Sequence, residues 1–221
     1  MFVKIETGGK ILIISLYVDD LIFTSNDAYL IEEFKCSMKS KFEMTDLGKM
    51  RYFLGVEVLQ SSKGIHLCQK KYAKDVLDRF GMKECNLVKN PIVPGSKLTT
   101  KGGGKKVNAT QFKQLVGSLM YLMATRPDLM YSVCLISRYM ADLIEEHLLA
   151  AKRVLRYLKG TLELSVFYAR EGAIELFAFT NSDHAGDYND RKSTSGYVFK
   201  LSGGAVGWAS KKRPIVTLST I

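Results

Sequence analysis

Residues 11 to 24, from Ile11 to Thr24, read Ile-Leu-Ile-Ile-Ser-Leu-Tyr-Val-Asp-Asp-Leu-Ile-Phe-Thr. Two runs of β-branched and other apolar residues meet at Asp19 and Asp20, which predicts two strands joined at an acidic turn. The expectation is a buried hairpin with carboxylates at its tip. Adjacent carboxylates repel unless a cation or solvent compensates them, so a divalent metal is a reasonable occupant and a solvated acidic turn is the alternative.

Working outward, Ser25, Asn26 and Asp27 supply helix N-cap chemistry. Leu30, Ile31, Phe34, Met38 and Phe42 then recur at helical spacing, predicting a helix that covers the sheet. Leu54, Val56 and Val58 alternate with Gly55 and Glu57, and Ile65 and Leu67 alternate after a turn at Ser61 to Gly64, so a second hairpin is expected. Tyr72, Ala73, Val76, Leu77 and Phe80 form an amphipathic stripe that stops at Gly81.

Residues 90 to 107 combine prolines, glycines and lysines and read as a flexible basic linker. Three helices are expected beyond it. Asn108 with Gln111, and Thr125 with Asp128, resemble capping boxes, Gly117 and Ser118 suggest close helix packing, and a third helix runs from Glu145 to Gly160. Phe112, Leu115, Val116, Leu119 and Met123 read as core. From Leu162 the period changes to two, and the strands around Val166, Leu176, Tyr197 and Val206 read as one antiparallel meander.

Thirty-two Lys and Arg against twenty-two Asp and Glu leave a net charge of +10, a sign that attracts polyanions such as nucleic acid. The apolar run Ile11 to Val18 is too short to span a bilayer, and the N-terminus lacks the order of a secretion signal, so a non-secreted, intracellular chain with no membrane segment is expected. Cys36, Cys68, Cys85 and Cys134 show no paired metal-ligand spacing and read as inert thiols. His66, His147 and His184 have no Cys or His companions at ligand spacing, so none is assigned to zinc.

Several blocks, in order, resemble the Pol polyprotein of copia-type retrotransposons. Leu16 to Thr24 is similar to the reverse transcriptase palm hairpin, and Thr45 to Val58 to the segment that follows it. Lys71-Tyr72-Ala73, Leu115 to Leu122 with Thr125-Arg126-Pro127-Asp128, and Ala150 to Thr161 continue the series. Asp187 to Phe199 and Ser210-Lys211-Lys212 resemble the start of that family's ribonuclease H.

The resemblance implies an α+β fold: a truncated palm and the start of a thumb over residues 1–92, a linker and helical thumb or connection over 93–170, and an incomplete ribonuclease H-like antiparallel sheet over 171–221. It implies that Asp19 and Asp20 help to hold two Mg2+ ions for nucleotidyl transfer on an RNA or DNA template-primer. The third carboxylate and the fingers would come from an N-terminal palm segment outside this chain, and a ribonuclease H glutamate from a C-terminal one. Two divalent ions about 4 Å apart repel by roughly 16 kcal/mol at an effective dielectric of 20, so two aspartates alone offset only part of the charge. Asn181 stands where the resemblance implies the first ribonuclease H aspartate, and a neutral amide binds a hard cation more weakly than a carboxylate. Asp183 and Asp187 are then expected as solvated turn residues.

Lys70 and Lys74 lie on the helix after the second hairpin, and Lys152, Arg153, Arg156 and Lys159 lie opposite the apolar face Leu148, Ala151, Leu155 and Leu158. These six cations are the candidate phosphate contacts, weighed against a solvated face. Three readings follow: a relic without activity of its own, a non-catalytic nucleic-acid-binding remnant, and a piece that works inside a longer polyprotein.

Overall fold

The computed structural model describes residues 1–96, 98–99 and 104–216, and the chain divides into two compact units, Met1–Met50 and Arg51–Ile221. The division falls at residue 50, so the second hairpin and the helix after it lie in the same unit as the later helices.

In the first unit, strands β1 (Phe2–Ile5), β2 (Ile11–Tyr17) and β3 (Asp20–Ser25) form an antiparallel sheet in that order, followed by helix α1 (Ala28–Lys41). Strand β1 escaped the sequence reading; all four of its residues are exposed, and it gains its place by pairing Phe2 to Ile5 with Ile14 to Ile11. Asp27 caps α1 by accepting from the Leu30 amide at 3.1 Å, while Ser25 and Asn26 tie the helix entry back to Ile11. The edge-on pair Phe23 and Phe34, 5.1 Å between centroids, packs α1 on β3. Two expectations need correction. The hairpin is largely exposed, since only Leu12 of β2 is buried and one helix cannot cover both strands to their tip. Phe42 is extended, with φ −136° and ψ 148°, and lies exposed beyond the last turn of α1.

In the second unit, β4 (Tyr52–Phe53), β5 (Val56–Gln60) and β6 (Gly64–Cys68) precede helix α2 (Lys70–Arg79). Helices α3 (Ala109–Leu122), α4 (Met130–Ser137) and α5 (Glu145–Gly160) complete a bundle. Its core is a continuous apolar cluster of Val76, Phe112, Leu115, Val116, Leu119, Val133, Ile136, Leu155 and Leu158. Asn108 caps α3 as expected, accepting from the Thr110 and Gln111 amides at 2.9 and 3.1 Å. Thr125 does not cap a helix; its hydroxyl donates to Gln69 Oε1 at 2.9 Å, and Asp128 turns to Arg126. Gly117 faces open space rather than a neighbouring helix.

Strand β7 (Val166–Ala169) corrects the expected meander, because it pairs with β6 and closes a sheet of order β4-β5-β6-β7. Gly64 permits this pairing: its φ is +153°, and a Cβ there would collide with the Tyr168 carbonyl. The other strands, β8 (Leu176–Ser182), β9 (Thr194–Leu201) and β10 (Gly204–Lys212), form the antiparallel sheet β10-β9-β8. The Trp208 indole N–H donates to the Met123 carbonyl at 3.0 Å and ties this sheet to the end of α3.

Lys97, Lys101, Gly102 and Gly103 of the expected linker, and Leu218 to Ile221, lie outside the described residues. The described linker residues are strapped to the bundle instead of swinging free. Leu98 is buried, its carbonyl accepts from the Tyr139 hydroxyl at 2.8 Å, and the Glu145 amide donates to the Lys105 carbonyl at 2.9 Å. Among the described residues, no helix is long and apolar enough to cross a membrane.

Candidate functional site

The hairpin tip is built by two tightly paired strands. Tyr17 and Asp20 form the last rung, and Val18 and Asp19 make the two-residue connection. Val18 has φ +51°, a left-handed conformation that a β-branched residue adopts only at a cost of order 1–3 kcal/mol, and such strain gathers at functional sites. Its effect is to turn the chain in two residues. Both carboxylates consequently project from the tip, exposed.

Asp19 and Asp20 stand at one end of a cavity of about 340 Å³ within the first unit. Phe23, Phe34 and Met38 give it an apolar wall, and its charged lining is mixed, with Lys35 and Lys39 of α1 beside Glu43 and Asp46. Lys35 is held by Glu32 at 2.9 Å and Asp46 at 3.2 Å, and hydrogen bonds to these two carboxylates raise its pKa above the usual lysine range. Among the described residues, no three His, Cys, Asp or Glu side chains gather as a metal cage. The pair at the tip still fits Mg2+, a hard cation commonly held by one or two carboxylates with waters and substrate phosphates supplying the rest.

The expected cations have varied surroundings. Lys70 pairs with Glu163 at 2.5 Å. Arg153, Arg156 and Lys159 donate to the carbonyls of Asn90, Asn86 and Cys85 at 3.1, 2.8 and 2.9 Å, stapling the segment after α2 along α5. Sequence spacing shows one charged face on α5 but not the loop that lies over it. Lys74 and Lys152 remain exposed.

Asn181 lies exposed near the end of β8, opposite Gly196. Asp183 and Asp187 are not solvated turn residues. Asp183 accepts from the Thr194 amide at 2.7 Å. Asp187 is buried, with Lys212 at 2.6 Å and Arg138 at 3.6 Å. Burial opposes its charge, but hydrogen bonds from Lys212 and the Asn189 amide outweigh burial and hold the carboxyl below its usual pKa.

Sequence reasoning also missed the buried Arg126. It makes a two-pronged pair with Asp128 at 2.9 and 2.7 Å and donates to Thr161 O and Oγ1 at 3.0 and 2.7 Å. The signal was present in Thr125-Arg126-Pro127-Asp128, but its partner Thr161 lies too far along the chain for spacing to reveal.

Fold and site together define a mixed helix-and-sheet protein with paired carboxylates at an exposed hairpin tip. A family pattern described as reverse transcriptase (RNA-dependent DNA polymerase) matches residues 1–94. The retrovirus-related Pol polyprotein from transposon RE1 of Arabidopsis thaliana is 37% identical over 216 residues, covering 98% of this chain and 15% of that protein. An uncharacterized mitochondrial protein of Arabidopsis thaliana is 33% identical over 205 residues, covering 93% of this chain and 85% of its own length. A putative transposon Ty5-1 protein of Saccharomyces cerevisiae is 31% identical over 209 residues, covering 94% and 68%. The chain belongs to the reverse transcriptase family of copia-type retrotransposon Pol polyproteins. It spans about 15% of the length of the RE1 polyprotein, and no solved structure matches it.

Proposed function

We propose that this chain supplies the catalytic hairpin and the following helical part of a retrotransposon reverse transcriptase, with β8 to β10 as the start of a ribonuclease H sheet, and that it does not polymerise alone. The observation carrying this reading is the strained, exposed Val18-Asp19-Asp20 tip, where two carboxylates stand without a third acidic partner among the described residues. Asp19 and Asp20 would hold Mg2+, which when bound helps to activate a primer hydroxyl and to stabilise departing pyrophosphate. The protein's own contribution is positional. The paired strands hold the two carboxylates at the end of the hairpin, and because Glu43 and Asp46 line the adjoining cavity beside Lys35 and Lys39, a polyphosphate would enter it together with its Mg2+ rather than through the cavity's own charge. Further anionic ligands must come from nucleotide and from other protein segments. Lys74 and Lys152, the exposed members of the six proposed cations, are the positions from which template-primer phosphates would be met without breaking an internal contact.

Two measurements test this. Mn2+ titration followed by paramagnetic broadening should give weak binding confined to signals near Asp19 and Asp20, lost in Asp19→Asn with Asp20→Asn. Primer extension with Mg2+ should be absent for the chain alone. Tight seating of two ions without nucleotide or another chain, or extension by the chain alone, refutes the shared-site reading.

A further inference from the structure

His147, in the first turn of α5, is fully buried, and its ring stacks on Tyr139 with 4.1 Å between centroids. Its Nδ1 accepts a hydrogen bond from the Ile144 amide at 3.3 Å. A ring nitrogen that accepts carries no proton, so the imidazole is neutral with its hydrogen on Nε2. That Nε2 is buried and has no hydrogen-bond partner among the described residues.

Both residues that the ring touches also hold the linker. Ile144 forms an antiparallel bridge with Lys106, the neighbouring Glu145 amide donates to the Lys105 carbonyl at 2.9 Å, and Lys106 Nζ meets Asp142 at 2.6 Å. The side chains of that ion pair are 77% and 51% exposed, so it adds little, and the backbone contacts of Ile144 and Glu145 do the holding. Tyr139 donates its hydroxyl to the Leu98 carbonyl at 2.8 Å. The Leu98 end has one more tie, the Thr99 hydroxyl hydrogen-bonded to Asn189 Oδ1 at 3.0 Å, which lies apart from His147. Loosening at His147 would therefore be felt first at Lys105 and Lys106.

A proton added at Nδ1 turns the acceptor into a donor that faces the Ile144 N–H, setting two donors against each other. It also puts a charge where burial disfavours one. Glu146 on α5, Asp142 before it and the Thr99 backbone favour a charged ring, but burial outweighs them and holds the His147 pKa below its usual range. Tyr139, stacked on the ring, stays neutral here, because burial raises its pKa. The least costly relief is local: Ile144 and Glu145 part from Lys105 and Lys106, and water reaches the ring. We infer that His147 is an acid-sensitive latch, fastening Lys105 and Lys106 to the start of α5 while neutral and releasing them once protonated.

The full chain is followed by amide hydrogen exchange at about pH 7.5 and about pH 5.5, with protection corrected for the intrinsic rate at each pH. The Ile144 and Glu145 amides should be less protected than the Leu119 amide of the core at both, as local opening requires. Their protection should fall by about five- to tenfold on acidification, the range that one proton taken up below about pH 6.5 supplies over this interval. His147→Gln should keep the latch, since Gln at the third helical position also reaches back to the cap amide, and should reduce the fall to less than about twofold. If that variant misfolds, NMR titration of the buried imidazole in wild type replaces it: the fall in protection should level off at the pH where that ring becomes charged. Protection at Ile144 and Glu145 equal to that at Leu119, no fall on acidification, an equal fall in His147→Gln, or a fall that continues below the ring's own titration overturns the inference.

Discussion

Replacing Asp187 by Asn keeps the shape of the side chain and removes its charge. The carboxylate is 2% exposed, Lys212 lies 2.6 Å and Arg138 3.6 Å from it, and those cations are only 26% and 15% exposed. Removing one partner of a buried pair costs about 3–5 kcal/mol when the other is left without compensation. Here the loss is smaller, because Lys212 keeps Asp190 at 2.9 Å and both cations reach some water. About 2–3 kcal/mol is expected, or roughly 5–10 °C in melting temperature for a unit of this size.

The pH dependence carries the sharper test. Asp187 has its folded pKa depressed below the unfolded value, so its contribution is complete above about pH 4 and disappears as pH falls through the folded pKa. Thermal and urea unfolding of wild type and Asp187→Asn, run from pH 7 downward, should show a gap that is constant to about pH 4 and then closes. A gap below about 0.5 kcal/mol at pH 7, or one that persists unchanged at pH 2, refutes the argument.

Other consequences are equally direct. His147 is fully buried and stacked on Tyr139 at 4.1 Å, and burial lowers its pKa, so the unfolded chain takes up its proton first. Stability should therefore decline as pH drops below about 6.5, and His147→Gln should flatten that slope in urea titrations between pH 5 and 6.5. Leu155→Ala empties a fully buried site in the helical core and should cost about 3–5 kcal/mol by denaturant unfolding. Asp19→Asn, at an exposed tip, should move the melting temperature by no more than about 2 °C, yet should abolish primer extension when placed in a complete Pol protein.

Local chemistry carried much of this protein in its sequence. The hairpin Ile11 to Ser25, the Asp27 and Asn108 caps, the stripes of α2, α3 and α5, and the placing of Asp19 and Asp20 at a turn all follow from alternation, helical spacing and capping, which act over a few residues. Tertiary structure alone decided contacts between residues far apart in the chain. It sent β7 to the second hairpin rather than to β8, through a glycine whose missing Cβ lets Tyr168 approach. It turned Arg153, Arg156 and Lys159 onto the carbonyls of Cys85 to Asn90, and drew Asp187 from an apparent surface loop into an ion cluster. The physical reason is that a buried charge or an open strand edge, with its unpaired N–H and C=O groups, must find whichever partner the whole fold brings within reach. No periodicity in the chain encodes a partner dozens of residues away.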